Sequence, residues 1–173
     1  RDPKNYNNLI LVYLGESISS RWDGGYTWNR EHVWPQSRLG VRVEYGINDF
    51  PSRATDLHNL KPADPTENEL RSNYYFDWVT SNNTYEPRDE VKGDIARILF
   101  YMATMYLDLN LNDETSTKSY ETTMGNLSVL LEWNRQDPVD DFERNRNEII
   151  YYYQNNRNPF IDYPSFADLI WGD

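Results

Sequence analysis

From Gly93 onward the chain repeats apolar residues at helical steps. Ile95, Ile98, Leu99, Met102, Met105, Tyr106 and Leu109 recur at three- and four-residue steps, the spacing of one buried stripe on an α-helix. Residues 23–64 lack that period and are rich in Gly, Pro, Asn and Asp, which reads as strands and loops. Between the two stretches, Asp64-Pro65-Thr66-Glu67 offers a capping carboxylate, a proline at the first helical position and a glutamate at the third, so a helix should run from 65 to about 72. Further helices are expected over 127–135 and from Asp137-Pro138, where the cap-and-proline start recurs ahead of Val139, Phe142, Ile149 and Tyr152 or Tyr153. Residues 165–171 add a last turn. A small strand-and-loop region among helices is an α+β class, mostly helical by residue count. The 173 residues hold no internal repeat and no long linker, so one domain over 1–173 is expected.

Composition narrows the chemistry. With Cys at 0, disulfides, thiolate metal sites and cysteine nucleophiles are excluded, and oxygen and imidazole ligands remain. An aromatic share of 15% argues for a packed core despite a mean hydropathy of -0.87. No apolar run reaches the roughly 18 residues of a membrane span, and an opening at Arg1 is compatible with secretion as well as with a trimmed boundary. The net charge of -11 speaks against a nucleic-acid partner. Its distribution softens this: residues 1–80 hold nine basic against eleven acidic groups, residues 81–173 eight against seventeen. Within 21–72 seven basic groups (Arg21, Arg30, Arg38, Arg42, Arg53, Lys61 and Arg71) face eight acidic ones, which leaves room for a local positive face.

Only two histidines are present, His32 and His58, each in a dense polar and aromatic setting. Imidazole is the side chain best suited to take a proton from water near neutral pH. A lone loop histidine is more often structural, so its neighbours must decide. On an extended strand Glu31 and His32 point to opposite sides; both reach one site only if the chain bends there, and Pro35 close behind favours a bend. Asn68 falls in the first turns of the capped helix. One carboxylate and one amide oxygen form a sparse hard-ligand set of the kind Mg²⁺ accepts, since that ion keeps waters and takes phosphate oxygens. A surface ion pair for Glu31 and a solvated helix amide for Asn68 are the plain alternatives.

The strings Asn29-Arg30-Glu31-His32-Val33-Trp34-Pro35-Gln36-Ser37 and Asp56-Leu57-His58-Asn59-Leu60, then Asn68 and Arg71-Ser72-Asn73, closely resemble the bacterial endonuclease I family of secreted and periplasmic non-specific nucleases. The likeness continues through Asp137-Pro138-Val139-Asp140, Arg146-Asn147 and 155–162, so it spans about residues 22–164. It implies a ββα-metal (His-Me finger) motif at about 27–73 inserted before a helical remainder at about 92–173. On that pattern His32 is the general base, Glu31 and Asn68 hold one divalent ion, and His58 and Asn59, with Asp56 beside them, shape the site. A transition-state arginine is also implied, with Arg53 and Arg71 as candidates and Arg38 behind them. The ion expected is Mg²⁺, with Ca²⁺ and Mn²⁺ as alternatives. The substrate is DNA, RNA or both, cut to 5′-phosphate ends by a monomer that needs no protein partner. The absence of cysteine points to an extracellular branch, secreted or at the cell surface.

Two other readings compete: a non-catalytic module that binds polysaccharide or protein through its aromatics, and a structural metal domain with a closed ligand set. Trp22, Trp28, Trp34 and Trp78 read first as core residues and second as surfaces for unpaired bases. Arg146, Arg157, Asn155, Asn156 and Asn158 read as capping and packing groups of the last helices.

Overall fold

The computed structural model describes residues 1–41, 52–113 and 122–172. Arg42, one of the seven basic groups counted above, lies outside the described residues. The chain opens with two short strands, β1 (Asn8–Ile10) and β2 (Ser17–Ser19), paired antiparallel. Strand β3 (Asn29–His32) pairs antiparallel with β4 (Leu60–Ala63), setting His32 opposite Leu60 and Glu31 opposite Lys61. Helix α1 (Pro65–Arg71) follows at once, and the Asp64 carboxylate accepts from the backbone N–H groups of Thr66 and Glu67, as the cap sequence requires. Two minimal parallel pairs come next in the chain: β5 (Tyr75–Phe76) with β6 (Thr84–Tyr85), and, flanking helix α2 (Lys92–Met105) on its far side, β7 (Asn110–Leu111) with β8 (Thr123–Met124). The chain ends in α3 (Leu127–Gln136), α4 (Asp141–Gln154), α5 (Pro159–Asp162) and α6 (Phe166–Trp171). Helical residues outnumber strand residues, so the class is α+β.

Helix α2 is the axis of the core. The expected stripe is there, but burial runs all round it from Lys92 to Met102, while Met105 is exposed. Ile95, Ile98, Leu99 and Phe100 pack in one cluster with Val33, Trp34 and Leu39 behind β3, Phe76 of β5, and Leu130 and Trp133 of α3. That cluster ties the strands to the helices and fixes β3 against a rigid backing.

Helix α4 departs from the sequence reading twice. It starts at Asp140, whose carboxylate accepts from the Glu143 N–H, and not at Asp137-Pro138. Asp137 closes α3 instead, and its Oδ2 accepts the Gly93 N–H at 2.8 Å. The buried face of α4 is also not the one expected. Ile149, Tyr152 and Tyr153 are exposed, whereas Glu143, Asn147 and Ile150 are buried. A face that buries a carboxylate and an amide has no hydrophobic period to read.

Candidate active site

The cleft at the open end of the β3–β4 pair is lined by Arg30, Glu31, His32, Pro35, Gln36, Ser37, Asn68, Arg71, Ser72 and Asn73, with a volume of about 420 Å³. Glu31, His32 and Asn68, separated by up to 37 positions in sequence, therefore meet. The bend behind His32 has an identifiable cause. Asn59 grips the chain just past β3: its Oδ1 accepts the Trp34 N–H at 2.7 Å, its Nδ2 donates to the Trp34 carbonyl at 3.0 Å, and its own carbonyl accepts the Val33 N–H at 3.1 Å. With Trp34 fixed, the backbone turns into the short helical turn Gln36–Arg38 and the last two side chains of β3 both face the cleft.

Each of the three is held by a distinct partner. Glu31 is buried, its Oε1 accepts the Tyr13 hydroxyl, and the Arg71 guanidinium lies 3.3 Å from the same oxygen. Burial pushes the Glu31 carboxyl up, and Arg71 and Tyr13 pull it back. The plain alternative of a surface ion pair is thus replaced by a buried one. Asn68 donates from Nδ2 to the Asn29 Oδ1 at 2.6 Å, which settles the direction of the amide and leaves its oxygen to face other partners. His32 lies with Nε2 2.8 Å from the Ala54 carbonyl. A carbonyl only accepts and is much nearer than the Gln36 amide nitrogen, 3.3 Å from the same atom, so the Ala54 contact favours the hydrogen on Nε2 and, in the neutral ring, the lone pair on Nδ1. Burial, the largest influence, lowers the His32 pKa, and the positive charges of Arg30 and Arg71 add to it. The imidazole is therefore a neutral proton acceptor of fixed tautomer near pH 7.

The remaining sequence candidates fall outside the cleft or are bonded to other protein groups, although the buried Arg71 Nε has no hydrogen-bond partner. Arg53 points away: its Nη1 donates to the Leu39 carbonyl at 2.9 Å and to Asp108 at 2.7 Å, and its guanidinium lies over the Tyr106 ring. Arg38 is buried, bonded to the Asn73 carbonyl and the Tyr75 hydroxyl. Arg71 lines the cleft but is buried and used by Glu31 and by the carbonyls of His32, Ser72 and Val33. Asp56 accepts from Tyr101, Tyr106, Gln154 and the His58 N–H, and so braces the turn that delivers Asn59 to β3. Arg146 of α4 caps that turn by donating to the carbonyls of Leu57, His58 and Leu60. Sequence reasoning missed Tyr13, Asn29 and the Ala54 carbonyl. Asn29 carried the one available signal, as the first residue of the histidine string; a backbone carbonyl carries none.

His58 is buried against the Tyr101 ring, 4.4 Å between centroids, and its Nδ1 has no hydrogen-bond partner. Burial, helped by the Arg146 charge, lowers its pKa from 6.5 to about 4. Between those values the unfolded chain binds the proton and the folded chain does not, so stability falls as pH drops from 6.5 towards 4. The expected loss is about 3 kcal/mol over that window. Thermal unfolding followed by circular dichroism from pH 7 to pH 4 checks this; in a His58→Leu variant that part of the slope should vanish.

Among the described residues no group of three or more His, Asp or Glu could close around a metal ion. A larger cavity, about 490 Å³, is lined by Leu9, Ile10, Phe142, Ile149 and the buried Lys61–Asp94 pair and contains no histidine.

A family model described as Endonuclease I matches residues 4–165. The chain belongs to the endonuclease I family. It is 50% identical over 190 residues to an "Extracellular ribonuclease" of Bacillus subtilis, which covers 98% of this chain and 64% of that protein. It is 34% identical over 177 residues to a "Periplasmic deoxyribonuclease" of Aeromonas hydrophila, covering 92% of this chain and 67% of the relative, and 30% identical to an "Endonuclease-1" of Buchnera aphidicola, covering 91% and 64%. The chain thus spans a little under two-thirds of the length of the Bacillus relative. Residues 4–165 take in the whole cleft of this endonuclease I family member, from Tyr13 through Asn73. No helix among the described residues is long and apolar enough to cross a membrane.

Proposed function

We propose that this chain is a metal-dependent endonuclease that hydrolyses phosphodiester bonds of DNA, RNA or both, with little sequence preference. In that reading β3, β4 and α1 form a ββα-metal motif. The observation that carries it is the meeting of Glu31, Asn68 and a tautomer-fixed His32 in one cleft. The donor set fits a hard divalent ion, Mg²⁺ first and Ca²⁺ or Mn²⁺ as alternatives. It offers one carboxylate and one amide oxygen oriented by Asn29, and no closed cluster among the described residues, so positions stay open for water and phosphate. Such an ion, when bound by Glu31 and Asn68, supplies positive charge that stabilises the developing phosphoryl and leaving-oxygen charges.

The protein's own groups do the rest. His32 accepts a proton from water at Nδ1 while Nε2–H keeps its bond to the Ala54 carbonyl, so the imidazolium forms without reorienting. The water oxygen bonds to phosphorus, the bond to the 3′ oxygen breaks, that oxygen takes a proton from a second water, and the products are a 5′-phosphate and a 3′-hydroxyl. Arg71 pulls the Glu31 carboxyl back against the upward push of burial and aligns it. All these groups come from one chain, which supports action as a monomer. The extracellular and periplasmic names of the relatives support secretion of this one.

The test is incubation of plasmid DNA and RNA with Mg²⁺, with and without EDTA. Cutting to 5′-phosphorylated fragments that stops on chelation and resumes on returning Mg²⁺ is expected. Full activity in EDTA overturns the metal assignment, and binding without cutting favours the binding-module reading.

A further inference from the structure

The turn at 21–28 stands beside the cleft and carries aromatic rings that the hydrolytic groups do not use. Trp22 is 47% exposed and Tyr26 88% exposed. Neither is loose. The Asp23 carboxylate accepts the N–H groups of Tyr26 and Thr27 at 3.0 Å and the Thr27 hydroxyl as well. Gly24 and Gly25, at φ 87° and 95°, supply a conformation that other residues avoid. Trp28 meets Trp22 edge to face at 5.0 Å, and its Nε1 donates to the Arg21 carbonyl. The turn also runs close to the site, since a side chain added at Gly25 would meet the Cβ of Asn29, the residue that orients Asn68.

Arg30 connects the turn to the cleft. Its guanidinium lies over the Trp22 ring at 5.1 Å, and it lines the same cleft as Glu31 and His32. A water-exposed Trp22 ring held by Trp28, next to a cation, forms a surface that gains from a flat π-system carrying negative charge nearby. A net charge of -11 limits what phosphate attraction alone can give this chain, so affinity has to draw on a non-ionic contribution. Stacking of bases on aromatic side chains is one, and it tolerates any sequence because every base has a π-face.

We propose that Trp22, with Tyr26 and Arg30, is a stacking platform for an unpaired base adjoining the scissile phosphate, so that single-stranded nucleic acid is the favoured substrate of the hydrolytic site. The proposal rests on the nuclease reading above and deepens it. In a duplex the base faces are already covered by their neighbours, and the platform has nothing to add. Because the turn is held by its own hydrogen bonds, little ordering cost opposes the contact.

The test measures binding apart from cutting. Fluorescence anisotropy is followed for a labelled oligothymidylate and for an abasic strand of equal length, in Mg²⁺, on a His32→Ala background, with and without Trp22→Ala or Trp22→Phe. The Kd for oligothymidylate is expected to rise about ten-fold with Trp22→Ala and to recover most of that with Trp22→Phe, while the Kd for the abasic strand stays within about two-fold. An unchanged Kd for oligothymidylate, or an equal loss on the abasic strand, overturns the platform, the latter because sugar and phosphate would then be what the ring reads. A wild-type protein that cuts neither strand would sink the nuclease reading separately and leave this comparison readable.

Discussion

Replacing His32 by alanine is expected to lower kcat/KM on plasmid DNA and on RNA by about 10²–10⁴, the range a positioned proton acceptor contributes. The geometry makes this the decisive substitution. His32 is the only histidine in the cleft, and the second one, His58, is buried against Tyr101 with its backbone held by Asp56. No other imidazole can take over the proton. The tautomer is also fixed in advance by the Ala54 carbonyl, so what alanine removes is an oriented lone pair, and buffer bases cannot match its placement. The cost to folding should be small by comparison, about 1 kcal/mol for the lost hydrogen bond to Ala54. Kinetics on a linear fragment and thermal unfolding of the same preparation separate the two effects. Near-normal hydrolysis by the alanine variant would remove His32 from its role. Loss of activity together with loss of the folded state would send the residue back to a structural one.

Local chemistry explains which parts of this site could be read from the sequence. The start of α1 was legible because Asp64 and Pro65 act within one helical turn, and the structure shows that carboxylate on the Thr66 and Glu67 N–H groups. The core helix was legible from its apolar period, though total enclosure of residues 92–102 erases the amphipathic contrast that periodicity measures. The histidine and its neighbours stood out because two imidazoles in 173 residues leave few choices. What could not be read is whatever depends on a partner far along the chain. Arg53 and Arg71 look alike in sequence, yet Arg53 is drawn to Asp108 and Leu39, while Arg71 is sealed beneath Glu31. Tyr13 and the Ala54 carbonyl enter the site from loops whose sequence shows no chemical bias. Arg30, adjacent to Glu31, went unranked because one strand step cannot tell a rim cation from a solvated one.

The polar interior of the helical part leads to the second large expected effect. Arg97 of α2 and Glu143 of α4 are both buried, joined by Nε to Oε1 at 2.8 Å and Nη2 to Oε2 at 2.6 Å in a two-pronged pair. The Arg97 Nη1 also donates to the Asn134 side chain and to the Asp137 carbonyl, so a single guanidinium joins α2 and α4 to the end of α3. Burial pushes the Glu143 carboxyl up, and Arg97 is the chief influence holding it down. Glu143→Ala would leave that guanidinium charged and unpaired in the interior, which typically costs about 3–5 kcal/mol. For a chain of this size the midpoint of thermal unfolding should fall by roughly 6–20 °C. Removing both charges, as Arg97→Met with Glu143→Leu, should recover part of the loss, since desolvation no longer opposes burial, but not all of it, because Asn134 and the Asp137 carbonyl lose their donor. A single variant that melts within a degree or two of the parent would mean that water reaches the pair. The cleft lies on β3 and α1, so catalysis in the surviving folded fraction should be near normal at low temperature. That separates this interior pair, which holds the helices together, from the cleft residues, to which the proposed hydrolysis is assigned.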